Sequence, residues 1–279
     1  MSELTLLLPQ LCLLLSALLI LGYNTIFRKS TKLVILTALA VIGSLGSIST
    51  AVFLSSSNLQ LGSLFGGQLV VDGSSLFFVV IISSVTLLVS IASYDYISKL
   101  GNQAEYYSLL LLAATGMSLM ASANSLVIAF IAMELASLPS YALVTYLKTN
   151  ESSTESGLKY FLIGALSSAI FVYGSSLIYG ATGSLGLSAI SESILHSSSI
   201  SGLLGIGILM VIGGLAFKTT SVPFHFWAPD AYEGAVSPIS AFISSASKAA
   251  GFILAFRILI EAFPIDVISA IGLDWTLAI

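Results

Sequence analysis

Four charged residues, Glu134, Lys159, Lys218 and Lys248, stand in or beside long apolar stretches of this 279-residue sequence. A charge within a membrane is costly unless it is paired or hydrated, and such residues commonly mark ion or proton pathways. Burial lowers the pKa of a lysine and an approaching carboxylate raises it again, so a buried pair of this kind can take up and release a proton. The residue types therefore predict reversible proton transfer.

Glu134 lies near the middle of the apolar run AFIAMELASLPSYALV. Ser137, Tyr141 and Thr145 follow it at helical spacing, which predicts one polar stripe running toward the cytoplasm. Pro139 removes a backbone donor one turn later and predicts a kink in this helix. The alternative interpretation is a neutral, protonated carboxyl group that is hydrogen-bonded to a neighbouring helix.

Lys218 precedes the segment TTSVPFHFWAPDAYEGAVSP. Because Pro223, Pro229 and Pro238 cannot continue a regular helix, the sequence predicts a helix that is interrupted beside the lysine. Discontinuous helices of this kind form ion sites in transporters. The alternative is a lysine at a helix end that extends its ammonium group to the membrane surface.

Lys248 shares one predicted helix face with Ser240 and Ser244, and a serine-lined face of this kind predicts a hydrated surface. Lys159 is weaker evidence, because a positive residue at a cytoplasmic boundary needs no special role. His225 lies in the interrupted segment and could titrate near neutral pH. We favour instead a histidine that hydrogen-bonds backbone carbonyls and fixes the loop.

The composition excludes most soluble functions. Apolar residues make up 57% of the chain and charged residues only 8%, against about 25% charged residues in soluble domains. The net charge of −4, with no basic patch, argues against nucleic-acid binding. A single cysteine, Cys12, argues against a disulfide framework or a cysteine-based metal site. The sequence also lacks a glycine-rich nucleotide loop and metal-spaced clusters, so we expect neither cofactor nor metal to bind this chain.

Continuous apolar runs of about 20 residues predict an all-α polytopic membrane protein. We expect about eight transmembrane helices, a discontinuous seventh among them, and the start of a ninth. The predicted spans are 4–23, 33–54, 74–93, 106–121, 125–147, 157–180, 202–221 and 237–258. Small residues in the sixth span predict a helix-packing surface: Gly157, Gly164, Ser168 and Ser175.

Orientation follows from the positive residues in short loops. Of the seven positive residues in or beside these loops, six lie on one predicted side: Arg28, Lys29, Lys32, Lys99, Lys148 and Lys159. The opposite side carries Arg257. We therefore expect the Arg28–Lys32 loop to be cytoplasmic and the N-terminus to face the outer side, together with the polar connections 55–73 and 181–200. Asp230 and Glu233 are expected to cap or pair at the cytoplasmic face.

Three segments resemble the antiporter-like membrane subunits of respiratory complex I, NADH-quinone oxidoreductase, and within them the subunit N (chain 2) family. They are MELASLPSYALV around Glu134, SGLKYFLIGALSSAIFVYG around Lys159, and AFKTTSVPFHFWAPDAYEGAVSPISAFISSASKAAGF across Lys218 and Lys248. The resemblance is strongest over 106–258, and the first three spans match mainly in layout.

In that family about fourteen helices include two inverted five-helix units, each with a broken helix. The resemblance implies three N-terminal helices in 1–105, one antiporter-like proton-translocation unit in 106–258, and the start of a second, missing unit in 259–279. We expect either that the chain is a fragment or shortened form, or that the remaining helices come from another chain.

The resemblance also implies residue roles. Lys218 would be the central proton carrier, Glu134 its modulating partner, Lys248 the relay toward the second unit and Lys159 a residue that tunes the Glu134–Lys218 pair. Three residues would be accessory: His225, Tyr141 and Ser244.

The resemblance implies a multi-pass protein of the prokaryotic cell membrane, or an equivalent organellar membrane, that contacts the bilayer and other membrane-arm subunits. This chain would carry no redox centre, and NADH, FMN, iron–sulfur clusters and quinone would bind partner subunits. Two alternatives remain open. One is a subunit of a multi-subunit cation/proton antiporter, and the other is a structural remnant that anchors neighbouring subunits without pumping.

Overall fold

The structure, a computed structural model, describes residues 3–27, 32–57, 62–147, 149–196 and 202–263. The predicted cytoplasmic residues Arg28, Lys29 and Lys148 lie outside the described residues. So do residues 264–279, where the ninth span is predicted to begin.

The described residues form a helical bundle with one small hairpin. The elements are α1 (Glu3–Leu6), α2 (Leu8–Ile26), α3 (Leu33–Ser56), β1 (Ser63–Leu64), β2 (Leu69–Val70), α4 (Gly73–Ala92), α5 (Tyr94–Ile97), α6 (Gln103–Met120), α7 (Leu126–Val144), α8 (Glu151–Thr182), α9 (Leu187–Leu195), α10 (Gly202–Thr219), α11 (Trp227–Gly234), α12 (Ser237–Arg257) and a π-helical turn (Ile258–Ala262).

The predicted class, an all-α polytopic membrane protein, is confirmed. Among the described residues, seven helices are long and apolar enough to cross a membrane. The predicted fourth span is present as α6, which is not one of these seven helices. It is less apolar because it begins with polar and aromatic side chains such as Gln103 and Glu105. Thirteen of its 18 residues are buried. A helix that contacts other helices rather than lipid can carry polar side chains, because these can hydrogen-bond within the bundle, which explains the difference.

Side-chain caps fix several helix starts. Asp72 forms a capping box with Ser75 at the start of α4, while Ser125 and Asn150 accept backbone N–H groups at the starts of α7 and α8. These caps satisfy donors that would otherwise lack partners at a helix N-terminus. Within α7, Pro139 leaves the helix unbroken as far as Val144.

The two long polar connections contain structure that the hydropathy pattern does not reveal. In the first, β1 and β2 pair antiparallel, with Ser63 opposite Val70. In the second, α9 buries its apolar face through Leu187, Ile190 and Ile194. Both connections reach the start of α7, since Asn124 N donates to Gln68 O at 3.0 Å and Leu126 N to Leu185 O at 2.8 Å.

The predicted discontinuous helix is present. Helix α10 ends at Thr219, one residue after Lys218, and the chain becomes helical again at Trp227. Thr220 takes a left-handed backbone conformation with φ of 62°, and Ser221 N closes the helix end on Ala216 O at 2.8 Å. The break therefore sits directly beside the buried lysine.

Close helix contacts hold α10 against α8. A Cβ atom added at Gly174 would lie 2.8 Å from the carbonyl oxygen of Gly207, and one added at Gly207 would lie 3.0 Å from the carbonyl oxygen of Gly174. Such mutual approach of backbones is typical of membrane helix interfaces built on small residues. It fixes the position of the helix that carries Lys218.

Candidate functional site

Lys218 is enclosed by the bundle. Its side chain lies in the last turn of α10 and is only 2% exposed. Its Nζ donates to Ser137 Oγ at 3.0 Å, and Ser137 Oγ donates in turn to the Met133 carbonyl at 2.6 Å. Because Ser137 follows Glu134 by three residues on α7, the lysine faces the polar stripe that the sequence predicts.

Glu134 is partly buried and accepts a hydrogen bond from Ser168 Oγ of α8. It takes no part in the four ion pairs that the described part of the chain forms. Ser137, which binds Lys218, lies one helical turn beyond Glu134 on the same helix. The Glu134 carboxyl group is thus held by α8, while the lysine is held one turn along α7 by Ser137.

Ser168 is a correction to the sequence-based interpretation, which assigned it to helix packing alone. That interpretation is confirmed for Gly157 and Gly164, where an added Cβ would overlap Thr145 and the hydroxyl group of Tyr141, respectively. Ser168 was missed because a serine among small residues looks the same whether it packs or donates. Spacing could have revealed it, since it lies one helical turn beyond Gly164 on the surface that meets α7.

Tyr141 is buried on α7, and its ring packs edge to face against Tyr160, with centroids 4.6 Å apart. Tyr160 stacks on Trp227 at 4.4 Å, and Phe217 lies 5.0 Å from Trp227. We call Tyr141, Tyr160, Phe217 and Trp227 the aromatic wall. It joins the helix of Glu134 to the helix break after Lys218.

Lys248 lies on α12 with its ammonium group at this break. Its Nζ donates to Thr220 Oγ1 and sits 4.4 Å from the ring centroid of Trp227. A Cβ atom added at Gly251, three residues later, would lie 3.2 Å from the carbonyl carbon of Lys218. Helix α12 therefore packs directly on Lys218 and brings the two lysines to one place.

The serine face proposed around Lys248 is divided in the structure. Ser240 Oγ donates to the Tyr232 carbonyl at 2.7 Å and ties α12 to α11. Ser244 is exposed, and its hydroxyl donates within its own helix to the Ala241 carbonyl at 3.2 Å. Hydration beside Ser244 stays a prediction.

Lys159 and His225 lie apart from these contacts. Lys159 is 44% exposed and forms ion pairs with Glu155 at 2.9 Å and with Asp230 at 3.0 Å. The pair with Asp230 links α8 to α11. The His225 side chain is exposed, and its carbonyl accepts from Ala228 N at 3.0 Å. The structure thus brings together Glu134, Lys218 and Lys248, whereas Lys159 is held at the edge of the bundle.

Nothing in the described ranges resembles a metal centre, since they contain no group of three or more His, Cys, Asp or Glu side chains placed to share an ion. The polar groups in these contacts are the hydroxyl groups of Ser137, Ser168 and Thr220, the carboxyl group of Glu134 and the amino groups of the two lysines. Such a set can hold and pass protons by hydrogen bonding.

Comparisons with known proteins agree with this architecture. Residues 123–273 match the family model described as NADH:quinone oxidoreductase/Mrp antiporter, TM. The chain is 39% identical to NADH-quinone oxidoreductase subunit N of Dehalococcoides mccartyi, covering 97% of this chain and 56% of the relative. It is 37% identical to F(420)H(2) dehydrogenase subunit N of Methanosarcina mazei, covering 99% of this chain and 55% of that relative.

Among solved structures, a chain of respiratory complex I from Thermus thermophilus, with bound aureothin, is similar at a TM-score of 0.75 and 28% identity. The match covers 96% of this chain and 57% of that one. The chain therefore spans about half the length of the curated relatives it matches. Its family model covers more than half of its residues, and the chain belongs to the NADH:quinone oxidoreductase/Mrp antiporter family of transmembrane proteins.

Proposed function

We propose that the chain is part of a membrane-arm subunit of a complex I-type oxidoreductase and moves protons through Glu134, Lys218 and Lys248. The observation that carries the proposal is the buried Lys218 side chain, bound by Ser137 one helical turn from Glu134 and packed against the helix that carries Lys248. Residues 106–258 would form the translocating unit and residues 259–279 the start of a second one.

The geometry suggests how a proton would pass. A carboxylate that approaches a buried lysine stabilises its ammonium form, and one that withdraws favours proton release. Ser168 holds Glu134 on the α8 side, so a shift of α7 against α8 would change the distance between Glu134 and Lys218. A proton released by Lys218 then has Lys248 as its neighbour across the α10–α12 contact. Tyr141 and Ser137 would complete the polar stripe along α7.

Energy for this shift would come from electron transfer in partner subunits. NADH, FMN, iron–sulfur clusters and quinone would bind there, and this chain would contact neighbouring membrane-arm subunits and lipid. The relatives are named for two different electron donors, NADH and F420H2, which fits a membrane subunit that holds no donor itself. We place the chain in a prokaryotic cell membrane or its organellar equivalent, with the Arg28–Lys32 loop in the cytoplasm.

We expect Lys218→Ala and Glu134→Gln each to lower the number of protons pumped per electron in the intact complex. Removing either group breaks the proton relay without touching the redox centres. The measurement is proton uptake by vesicles during electron transfer, normalised to the amount of assembled complex. Lys99→Ala is the matched control, since Lys99 is an exposed lysine and its loss should leave the ratio unchanged. Normal ratios in both relay variants would contradict the assigned roles and favour the structural remnant.

We expect Lys159→Ala to lower pumping less than Lys218→Ala does. Lys159 would tune the Glu134–Lys218 pair from the edge of the bundle, where Glu155 and Asp230 already neutralise it. The same vesicle assay, run with the two variants side by side, gives the order. A larger loss in Lys159→Ala would mean that this lysine is itself a carrier and would overturn the tuning role.

A cation/proton antiporter subunit is the second candidate, because the matched family model includes the Mrp antiporters. The same vesicles distinguish the two functions. Proton flux that requires an added monovalent cation and no electron donor would favour the antiporter, whereas flux that requires the donor favours the oxidoreductase.

A further inference from the structure

We infer that Trp227 is a positioning residue for Lys248, whose ammonium group it holds against its indole face at the break between α10 and α11. The inference rests on the proposed function, because it concerns the step in which the proton of the Lys218 ammonium passes to the neutral amine of Lys248. In that step Lys218 becomes the neutral amine and Lys248 the ammonium, so one proton moves and no other group is consumed.

The distance supports an attraction between the cation and the ring. Nζ of Lys248 lies 4.4 Å from the ring centroid, inside the range of about 6 Å over which cations are attracted to aromatic faces. Among aromatic side chains, tryptophan presents the strongest such face. Lys248 is partly buried and Trp227 only 1% exposed, so little water competes for the charge.

Trp227 is held rigidly enough to position another group. Its ring stacks on Tyr160 with centroids 4.4 Å apart and planes 12° from parallel, and Phe217 packs beside it at 5.0 Å. The rest of the aromatic wall therefore fixes the plane of the indole. A fixed ring lets the ammonium settle at one place over its face.

Packing alone does not explain an indole at this position. Nε1 of Trp227 is buried without a hydrogen-bond partner in the described part of the protein. Leaving such a donor unpaired costs free energy, which an apolar ring or a leucine would avoid. What the indole adds over those side chains is its stronger affinity for a cation.

Thr220 supplies the second contact to the same ammonium. Its Oγ1 accepts from Lys248 Nζ, and its backbone φ of 62° is unusual for a β-branched residue. Strained residues of this type persist where the surrounding structure holds them and cluster at functional sites.

The contacts with Thr220 and Trp227 depend differently on the charge of Lys248. A hydroxyl group hydrogen-bonds to both the ammonium and the neutral amine, whereas a ring face attracts only the cation. Lys248 is therefore drawn to Trp227 when it carries the proton and released from it when it does not. This makes the position of the side chain depend on its charge, which is what a relay residue needs.

The test uses fluorinated tryptophans inserted only at position 227 of the full-length subunit in the intact complex. Successive fluorine atoms weaken the cation-binding face with little change in size. We expect the number of protons pumped per electron to fall stepwise from the unmodified to the tetrafluorinated ring, at constant assembly. The number of protons pumped per electron by Trp227→Phe should lie within the range of this series, and that of Trp227→Leu should lie below it. Equal pumping across the fluorinated series would overturn the inference.

A second readout does not depend on pumping. The fluorine NMR signal of a single 5-fluorotryptophan at position 227 should shift in Lys248→Met, because the charge over the ring is removed. Lys99→Met is the matched control, because Lys99 is an exposed lysine outside these contacts, and it should leave the signal in place. An unchanged signal in Lys248→Met would overturn the contact itself. If Lys218→Ala lowers pumping while fluorination does not, this inference fails alone; if Lys218→Ala has no effect, the proposed function fails.

Discussion

We expect Asp72→Asn to lower the free energy of unfolding by about 3 kcal/mol, near the lower end of the range for unpairing a buried charge. The charge that loses one of its two carboxylate partners is that of Arg257, which is only 4% exposed. Both carboxylate oxygens of Asp72 accept from Nη2 of Arg257 at 2.6 Å. Asparagine still caps the start of α4, so the loss reports on the ion pair. The measurement is thermal or denaturant unfolding of the detergent-purified protein.

The loss of unfolding free energy in Asp72→Asn should stay at the lower end of that range, because Arg257 keeps two other partners. Its Nε donates to the Ala121 carbonyl at 2.6 Å, and Nη1 pairs with Glu261 at 3.1 Å. Arg257→Met should cost less than Asp72→Asn, because it removes the buried charge and leaves Asp72, which is 39% exposed, to water. The double variant should regain much of the loss. If Asp72→Asn proved as stable as the unmodified protein, Arg257 would not depend on this carboxylate.

The Arg257 contacts show where sequence-based reasoning stops. The sequence identifies Arg257 as the one positive residue of its predicted side, but not the carboxylate that binds it. Asp72 is 185 residues away, and no local pattern links the two. Through this pair the end of α12 is fastened to the start of α4 and, through Ala121, to the end of α6. The helix that carries Lys248 is therefore anchored at the end opposite to its start at Ser237.

The membrane is the reason that the sequence predicts the candidate site so directly. A span of about 20 apolar residues makes a charge conspicuous, so Glu134, Lys218 and Lys248 are identified by their surroundings alone. The helix break is equally visible, because prolines interrupt the pattern just after Lys218. Both features depend on residues close together in the chain, and the structure contains both.

Contacts between side chains that are neutral or distant in sequence are not visible in this way. Ser168 of α8 donates a hydrogen bond to Glu134 of α7. Lys159 forms an ion pair with Asp230 of α11 rather than with Glu134. A serine or a surface carboxylate has the same appearance in the sequence whatever it touches. These contacts follow from how α7, α8 and α11 pack, which hydropathy does not specify.

The second large effect should come from one methyl group. We expect Gly116→Ala to lower the free energy of unfolding by about 3 kcal/mol, at the top of the usual range for overpacking a core. A Cβ atom at Gly116, on α6, would lie 2.6 Å from the carbonyl carbon of Leu135 and 2.8 Å from Cα of Ala136 on α7. Those neighbours are backbone atoms, which cannot rotate away, so α6 and α7 must separate.

Gly205→Ala is the matched control, because nothing lies within 4 Å of a Cβ atom added there. Alanine is the better helix former by about 1 kcal/mol, so this variant should be as stable as the unmodified protein or slightly more stable. Both are single Gly→Ala changes within a helix, and unfolding of the two purified proteins in detergent makes the comparison. Equal stabilities would mean that α6 and α7 do not pack as closely as the structure shows.

The position of Gly116 links this stability effect to the proposed relay. Leu135 and Ala136, against which it packs, lie between Glu134 and Ser137, so separating α6 from α7 moves the Glu134 carboxyl group and the Ser137 hydroxyl group that binds Lys218. Gly116→Ala complexes that still assemble should therefore pump fewer protons per electron, although no titratable group has changed. Arg257→Met disturbs a different end of the bundle. It should have a larger effect on stability than on the number of protons pumped per electron. If Gly116→Ala left the ratio unchanged in assembled complexes, the placement of Glu134 and Ser137 would not control the relay.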